Sequence, residues 1–265
     1  MVYAILWENG NSFAAGVESE ADLLENLLPY WMDHYFQRPN YLKVDAKPLL
    51  FIYRPEILVR ELGGEEQTRR ALDRMRALCC RDGLNGLVLL GEHHGDPANP
   101  LEEMRNIGLD YAYSYHWPTF APLMPGTPNA ADLVEAQERC WRTQSRSAGV
   151  RSLLTVSMGW DATPWNGNGH RWRLAPEAFK RACTKAKALL DARPGGGLET
   201  RMVLLDNWNE FGEGHYIFPH REHGFGHLDA VREVFSTAPP RHVDWTPDDL
   251  GLGPYDRLYR ASLGP

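Results

Sequence analysis

The sequence predicts an α/β protein built as a TIM-type (β/α) barrel, on three observations. Six short apolar stretches alternate with amphipathic helical patterns through short connections, which is typical of a parallel sheet wrapped by helices. The stretches are apolar almost throughout, as expected for strands covered on both faces. Aromatic and ionisable residues follow each stretch, and such residues line the mouth of a barrel. Neither a Gly-x-Gly-x-x-Gly fingerprint after the first strand nor a P-loop occurs, which argues against a doubly wound nucleotide-binding sheet.

The predicted strands are short runs of apolar and β-branched residues bounded by turn formers. Six are found, whereas a closed barrel of this type has eight. We therefore expect an open or incomplete barrel, formed as one domain over residues 1–265, with residues 237–265 as a tail packed on it. The strands are predicted at residues 2–7, 48–53, 87–90, 110–115, 153–158 and 202–205.

The helices between these strands are predicted from apolar spacing and from capping residues. Ser19 begins the first helix, with Asp22 as the acid of a capping box, and apolar residues then recur at helical spacing to Tyr35. The later helices are predicted at residues 65–81 with Gly83 at the end, from Asn129 to about 148, from Pro176 to the glycine-rich stop at 193–197, and at 226–235.

Composition and charge narrow the classes of partner. The formal net charge of -7 argues against nucleic acid as the main partner, and no apolar run reaches the length of about 20 residues that spans a bilayer. Cys79, Cys80, Cys140 and Cys183 include no C-x-x-C pair, so we expect buried free thiols rather than a zinc site or disulfides. The compartment stays open, although unpaired cysteines and an apolar strand directly after Met1 favour the cytoplasm over secretion.

The segment from Asp206 to Gly214 (Asp-Asn-Trp-Asn-Glu-Phe-Gly-Glu-Gly) carries the chemistry. It directly follows the sixth strand, so Glu210 and Glu213 are expected at the carboxyl end of the sheet. Two carboxyl groups among aromatic rings are what cleavage of a glycosidic bond requires, since one donates a proton while the other acts as base or nucleophile. The alternative is an ordinary Glu-x-x-Glu pair on a solvated helix face.

Other residues at the predicted strand ends are candidates for binding a sugar. Aromatic rings there can stack on the C–H faces of sugars, or they can simply pack. Glu8 and Asn9 can bond hydroxyl groups or cap a loop, and Arg54 can bind a hydroxyl or an anionic sugar, or pair with a nearby carboxylate. The candidates are Trp7, Glu8, Asn9, Tyr53, Arg54, Tyr115, His116, Trp117, Trp160, Asp161, Trp208, Asn209 and His215.

A metal site was weighed at Glu92-His93-His94 with Asp96. Metal-dependent hydrolases on barrels use histidine and aspartate from several strand ends, commonly with a His-x-His pair on the first strand that is absent here. Adjacent histidines on a strand point to opposite faces, so only one of the two could bind. We therefore predict neither a metal nor a cofactor.

The segment 208–214, with Tyr216-Ile217-Phe218-Pro219 after it, resembles the C-terminal signature of the glycoside hydrolase family 99-like proteins. That group includes the WbsX-type proteins of bacterial polysaccharide loci and is related to the endo-α-mannosidases. Residues 7–9, 47–55 and 159–164 resemble it as well, so that the resemblance runs from residue 1 to about 235.

The resemblance implies roles for the two glutamates. Glu210 would be the base that acts on the sugar's own 2-hydroxyl, giving an anhydro-sugar intermediate and net retention, and Glu213 would be the acid/base at the leaving oxygen. Two departures stand out. The family's barrel normally starts two strand–helix units earlier, so a partner or a second copy would have to cover an open edge. Phe218 stands where the family often has an acidic residue before proline.

The sequence thus predicts a retaining glycoside hydrolase that acts on α-linked, mannose-type or related glycosides of a polysaccharide. Two alternatives stay open. One is a role in polysaccharide biosynthesis, of O-antigen lipopolysaccharide or capsule, which a requirement for a nucleotide sugar would reveal. The other is a non-catalytic carbohydrate-binding module.

Overall fold

The structure is a computed structural model, and it describes residues 2–10, 16–93, 100–115, 129–146, 149–161, 163–166 and 171–239. Four candidates named above, His94, Asp96, His116 and Trp117, lie outside these residues. So does the predicted tail beyond residue 239. In the part that is described, no helix has the length and apolar character needed to cross a membrane.

The main sheet is parallel, and its strands follow chain order. In space, β1 (Ile5–Trp7) lies beside β3 (Lys47–Ile52), followed by β4 (Val88–Glu92) and β5 (Tyr111–Tyr113). The order then continues to β6 (Arg151–Ser152). The short β2 (Lys43–Val44) is added antiparallel to β3.

The last two barrel strands form a parallel pair, β7 (Leu154–Ser157) with β10 (Val203–Asp206). Only Leu153 separates β6 from β7, and its N–H bonds to the Ala112 carbonyl of β5 at 2.8 Å, so β6 and β7 are two parts of one strand. Six parallel strands in chain order with helical connections confirm the predicted α/β class. Among the described residues no strand pairing joins β10 to β1, so closure into a barrel is not shown.

The helices lie where capping and periodicity predicted them. Between β1 and β2 the chain is helical from Glu20 to Phe36, with α1 (Glu20–Asp22) and α2 (Leu28–Trp31) each followed by a turn of π-helix. Ser19 caps this stretch, since its hydroxyl accepts the Asp22 N–H at 3.1 Å. The remaining predicted helices are α4 (Glu65–Arg81), α6 (Ala130–Arg146), α8 (Pro176–Asp191) and α9 (Gly226–Phe235).

Several elements were not predicted. The helix α3 (Pro55–Leu62) follows β3 directly, α5 (Pro100–Asn106) precedes β5, and α7 (Thr163–Asn166) is a single turn. Trp160 and Asp161 were expected at the end of a barrel strand. They lie instead in β8 (Gly159–Asp161), which pairs antiparallel with β9 (Arg171–Arg173) in a hairpin beyond β7.

The core lies mainly outside the sheet, between the strands and the helices. One cluster joins the sheet to the helices between residues 20 and 81, and a second joins β7 and β10 to α6, α8 and α9 around the buried Trp141 and Phe179. On the inner side, a cavity of about 300 Å³ remains, and Leu6, one of its lining residues, is 42% exposed. The cavity is lined from β1, β3, β5, β7 and β10, so it is the interior of the incomplete barrel.

The four cysteines are all unpaired, as predicted, but their burial differs. Cys79, Cys140 and Cys183 are buried, and burial raises the pKa of each thiol to about 12. Cys80 is exposed, which corrects the expectation that all four are buried. Neighbouring positions on α4 point in different directions, so Cys79 packs on the core while Cys80 faces solvent.

Candidate active site

Both candidate catalytic glutamates project from one tight loop after β10. The chain leaves Asp206 and forms a single turn of 3-10 helix at Phe211–Glu213. Gly214 then takes a left-handed conformation with φ of 62°, where a Cβ would lie 2.6 Å from the Cβ of Asp161. Only glycine fits this bend. The chain turns back, and His215 pairs with Glu210 through an antiparallel bridge.

The carboxylate of Glu213 is held on one oxygen. The Tyr115 hydroxyl donates to Oε2 at 3.3 Å, and Nε2 of His215 lies 3.0 Å from the same atom. Within the described residues no bond to Oε1 is present, and the side chain is 24% exposed. Oε1 is therefore the atom that is open to a substrate.

The charges of both glutamates affect the pKa of Tyr115. Burial raises the pKa of its phenol, and the carboxylates of Glu213 and Glu210 raise it further. The side chain of Glu210 is partly buried. The charges of the two carboxylates therefore both disfavour ionisation of the same phenol.

The wall of the site that faces the glutamate loop is formed by residues at the ends of β3 and β4. Tyr53 packs edge-on against Tyr115 with ring centroids 5.6 Å apart. Burial raises the pKa of Tyr53 to about 12, and Glu92, Glu213 and Glu8 contribute. Glu92 is 1% exposed at the end of β4, where its Oε1 accepts the Tyr115 N–H at 3.1 Å. Sequence reasoning placed Glu92 among the strand-end residues of the mouth, but the only specific role it considered for Glu92 was that of a metal ligand.

His93 belongs to the packing of the barrel wall. It is 2% exposed, and its Nε2 lies 3.0 Å from the Ser114 hydroxyl and in contact with the Gln144 amide. Among the residues that the structure describes, no group of three or more His, Cys, Asp or Glu side chains could hold a metal ion.

His215 and Asp206 form a buried pair beneath Glu213. His215 has no exposed surface, and its Nδ1 lies 3.6 Å from Oδ2 of Asp206, which is 2% exposed. Sequence reasoning placed His215 at a substrate hydroxyl. A fully buried ring cannot reach one directly, so His215 supports the site from behind. Asp206 was not identified as a site residue.

Three of the candidate sugar-binding residues have structural partners. Trp7 is 8% exposed and packs on Trp31 with ring centroids 5.2 Å apart, so its indole has no open face for a sugar. Asn9 is 1% exposed, and both ends of its amide bond the backbone of Arg54, at 2.8 and 2.7 Å. The Arg54 guanidinium pairs with Glu56. For these three, the packing, capping and ion-pair alternatives describe what is observed.

The remaining candidates lie at the rim. Trp208 is 51% exposed, and together with Phe211 at 53% and Phe218 at 40% it forms an open aromatic surface beside the glutamates. Asn209 and Glu8 are also exposed, and Glu8 accepts the Gly10 N–H at 2.9 Å. Trp160 contacts the His215 ring, with centroids 5.0 Å apart. Asp161 caps the turn at Thr163, whose N–H it accepts at 3.0 Å.

The family assignment follows from the sequence as a whole. The profile of the family described as Glycosyltransferase WbsX matches residues 17–231, which include the sheet from β3 onward and the glutamate loop. The chain belongs to the WbsX family. The match confirms the resemblance drawn from the glutamate segment, and it covers most of the chain.

Curated relatives include the "Uncharacterized protein WxcX" of Xanthomonas campestris pv. campestris, from strain B100 and from strain ATCC 33913. Each is 28% identical to this chain over 224 residues, which are 77% of the chain and 29% of the relative. The WbsX-family chain therefore spans less than a third of the length of these curated relatives.

Solved structures share the fold. The GH99 endo-alpha-mannosidase from Bacteroides thetaiotaomicron aligns with a TM-score of 0.53 at 18% identity, over 82% of this chain and 56% of that one. Its complex with bis-tris-propane gives 0.55 and 17%, over 88% and 67%. A structure titled "Glycoside hydrolase-like protein" gives 0.58 and 20%, over 83% and 62%. At these identities the likeness shows a common fold.

Proposed function

We propose that this WbsX-family protein is a retaining glycoside hydrolase that cleaves α-linked, mannose-type or related glycosides of a polysaccharide. The observation that carries the proposal is the pair Glu210 and Glu213 on one tight loop after a strand of a parallel pair, with Glu213 bonded to the Tyr115 hydroxyl and Glu210 bridged to His215. The fold shared with solved GH99 endo-alpha-mannosidases supports it.

The roles of the glutamates follow from their surroundings. Glu213 protonates the leaving glycosidic oxygen through Oε1, since Oε2 is occupied by Tyr115 and His215. Glu210 takes the proton of the sugar's 2-hydroxyl, whose oxygen attacks the anomeric carbon and forms the anhydro-sugar. Glu213, now a carboxylate, then takes a proton from the water that attacks the anomeric carbon, while Glu210 returns its proton to the 2-oxygen as the anhydro ring opens, which gives net retention.

The substrate lies on the open aromatic surface of Trp208, Phe211 and Phe218. A group of exposed aromatic rings beside polar residues is typical of a site that binds a ligand with apolar faces. Sugar rings have such faces on their C–H sides. Asn209 and Glu8 are exposed and are available to bond hydroxyl groups of the substrate.

The strands at the two ends of the described sheets have unpaired edges. Leu6 faces the inner cavity and is 42% exposed, and β1 and β10 each have a sheet neighbour on one side among the described residues. A partner or a second copy that adds strands here would pair both edges and bury this surface.

A role in polysaccharide assembly is the second candidate, and the description of the family as a glycosyltransferase favours it. One incubation experiment distinguishes a hydrolase from a glycosyltransferase. Purified protein is incubated with α-mannan oligosaccharides, with and without GDP-mannose, and reducing ends are measured. We expect reducing ends to appear without the nucleotide sugar. Chain extension that depends on GDP-mannose would support the transferase instead, and oligosaccharide binding without either product would support a binding module.

A further inference from the structure

The imidazole of His215 lies between two carboxylates, those of Glu213 and Asp206. Asp206 ends β10, and His215 lies nine positions further on, after the chain has reversed at Gly214. His215 thus lies between Oδ2 of Asp206, 3.6 Å from its Nδ1, and Oε2 of Glu213, 3.0 Å from its Nε2. Its ring is fully enclosed, with Trp160 and Tyr115 packed at 5.0 and 5.3 Å.

We propose that Asp206 and His215 are positioning residues for Glu213: a buried imidazolium that faces the Asp206 carboxylate holds Oε2 of Glu213 and leaves Oε1 to carry the reaction proton. The catalytic consequence rests on the proposed function, but the charge state of the imidazole does not. A ring that carries both protons can donate from Nε2 to Glu213 at 3.0 Å while its charge faces Oδ2 of Asp206 at the ion-pair distance of 3.6 Å.

The charges around the ring favour the imidazolium. Two carboxylates face it, Asp206 from the end of β10 and Glu213 from the 3-10 turn. Among the described residues, the other groups against the ring carry no charge at neutral pH: the Tyr115 phenol, the Trp160 indole and the Asn207 amide, whose Nδ2 is 3.2 Å from Nε2. Burial lowers the pKa of His215, but Asp206 and then Glu213 outweigh it and the net shift is upward.

Asp206 is held in place through one of its oxygens. Its Oδ1 accepts the Met158 N–H at 3.1 Å, so Oδ2 is left to face the ring. Burial raises the pKa of Asp206, and the bond and charge of His215 oppose that rise. A neutral Asp206 beside a neutral His215 is the competing arrangement, in which the ring keeps a single N–H and its bond to Glu213 is no longer strengthened by a charge.

The sign of the pH dependence follows from the direction of the His215 shift. A histidine with a raised pKa keeps its proton below that pKa and loses it as the pH rises through it. The charged anchor on Oε2 is therefore present below the raised pKa of His215, and it weakens as the pH rises through that pKa. Replacing Asp206 removes the charge that retains the proton, so this loss moves to lower pH.

The test is an NMR titration of the intact chain with isotope-labelled histidine, in which His215→Gln identifies the His215 signal. We expect its midpoint above the ordinary value of about 6.5. Asp206→Asn, which keeps an oxygen for the Met158 N–H, should lower the midpoint by more than about one unit. Glu213→Gln should lower it less, and Asp73→Asn, on the surface of α4, should leave it unchanged.

A midpoint at or below the ordinary value, unmoved by Asp206→Asn, would overturn the proposal whether or not the protein is a hydrolase. Where turnover is measurable, the alkaline limb of the rate against pH gives a second test. In Asp206→Asn this limb should move to lower pH with the acidic limb unchanged. A uniform loss of rate at every pH would indicate a purely structural role. Unfolding temperatures of all variants show whether each one folds.

Discussion

Glu213→Gln is expected to lower the turnover of an unactivated α-mannoside by about 10²- to 10⁴-fold, the usual contribution of a general acid. Glutamine has the same shape and can still receive the bonds of Tyr115 and His215, but it has no proton to give to the leaving oxygen. The loss should fall on kcat more than on KM, since the proton moves only in the transition state.

An α-glycosyl fluoride makes this prediction specific to the acid role. Fluoride leaves without protonation, so Glu213→Gln should still release one equivalent of fluoride in a burst, followed by slow turnover because water is no longer deprotonated. Glu66→Gln, on the exposed face of α4, is the matched control and should behave as wild type. Full wild-type turnover of the unactivated substrate by Glu213→Gln would show that Glu213 is not the acid.

Glu210→Gln is expected to abolish both the steady turnover and the fluoride burst, by about 10³-fold or more. Glu210 acts on the 2-hydroxyl before any leaving group departs, so a better leaving group cannot replace it. This outcome separates the two glutamates, which lie on one loop and both act on Tyr115.

The same role can be tested from the substrate side with wild-type protein. An α-glycosyl fluoride whose 2-hydroxyl is methylated should bind and release no fluoride, because it has no proton for Glu210 to remove. A fluoride burst from Glu210→Gln, or turnover of the methylated substrate by wild-type protein, would assign the first step to another group.

The parts of the fold that the sequence predicted are those with strong local signals. Helices α4 and α9 begin and end at the predicted residues, since each has a long apolar stripe and clear end residues. The helix α3 was missed because it has only eight residues and begins at Pro55, directly after a strand. The β8–β9 hairpin was missed because each strand has three residues, too few for a period to show.

In the candidate site, too, the residues with a strong local sequence signal were predicted, and those placed by contacts between distant segments were not. A strand followed by Trp-Asn-Glu was sufficient to place Glu210 and Glu213 in the loop where the structure has them. The buried pair beneath them depends on the reversal at Gly214, which brings His215 back against Asp206. Trp7 and Asn9 also lie at the end of a strand, yet both are enclosed. Trp7 packs against Trp31 of α2, and the Asn9 amide bonds the backbone of Arg54. Whether a strand-end residue faces the site or the core depends on contacts between distant segments.

The anomer of the first product tests the central claim most directly. Wild-type protein is mixed with an α-mannan oligosaccharide, and proton NMR follows the anomeric signals before mutarotation equilibrates them. A two-step reaction through Glu210 and Glu213 predicts that the α-anomer appears first and decays toward the equilibrium mixture. Initial appearance of the β-anomer would contradict the account, because it requires direct attack by water and leaves the anhydro-sugar with no place in the reaction.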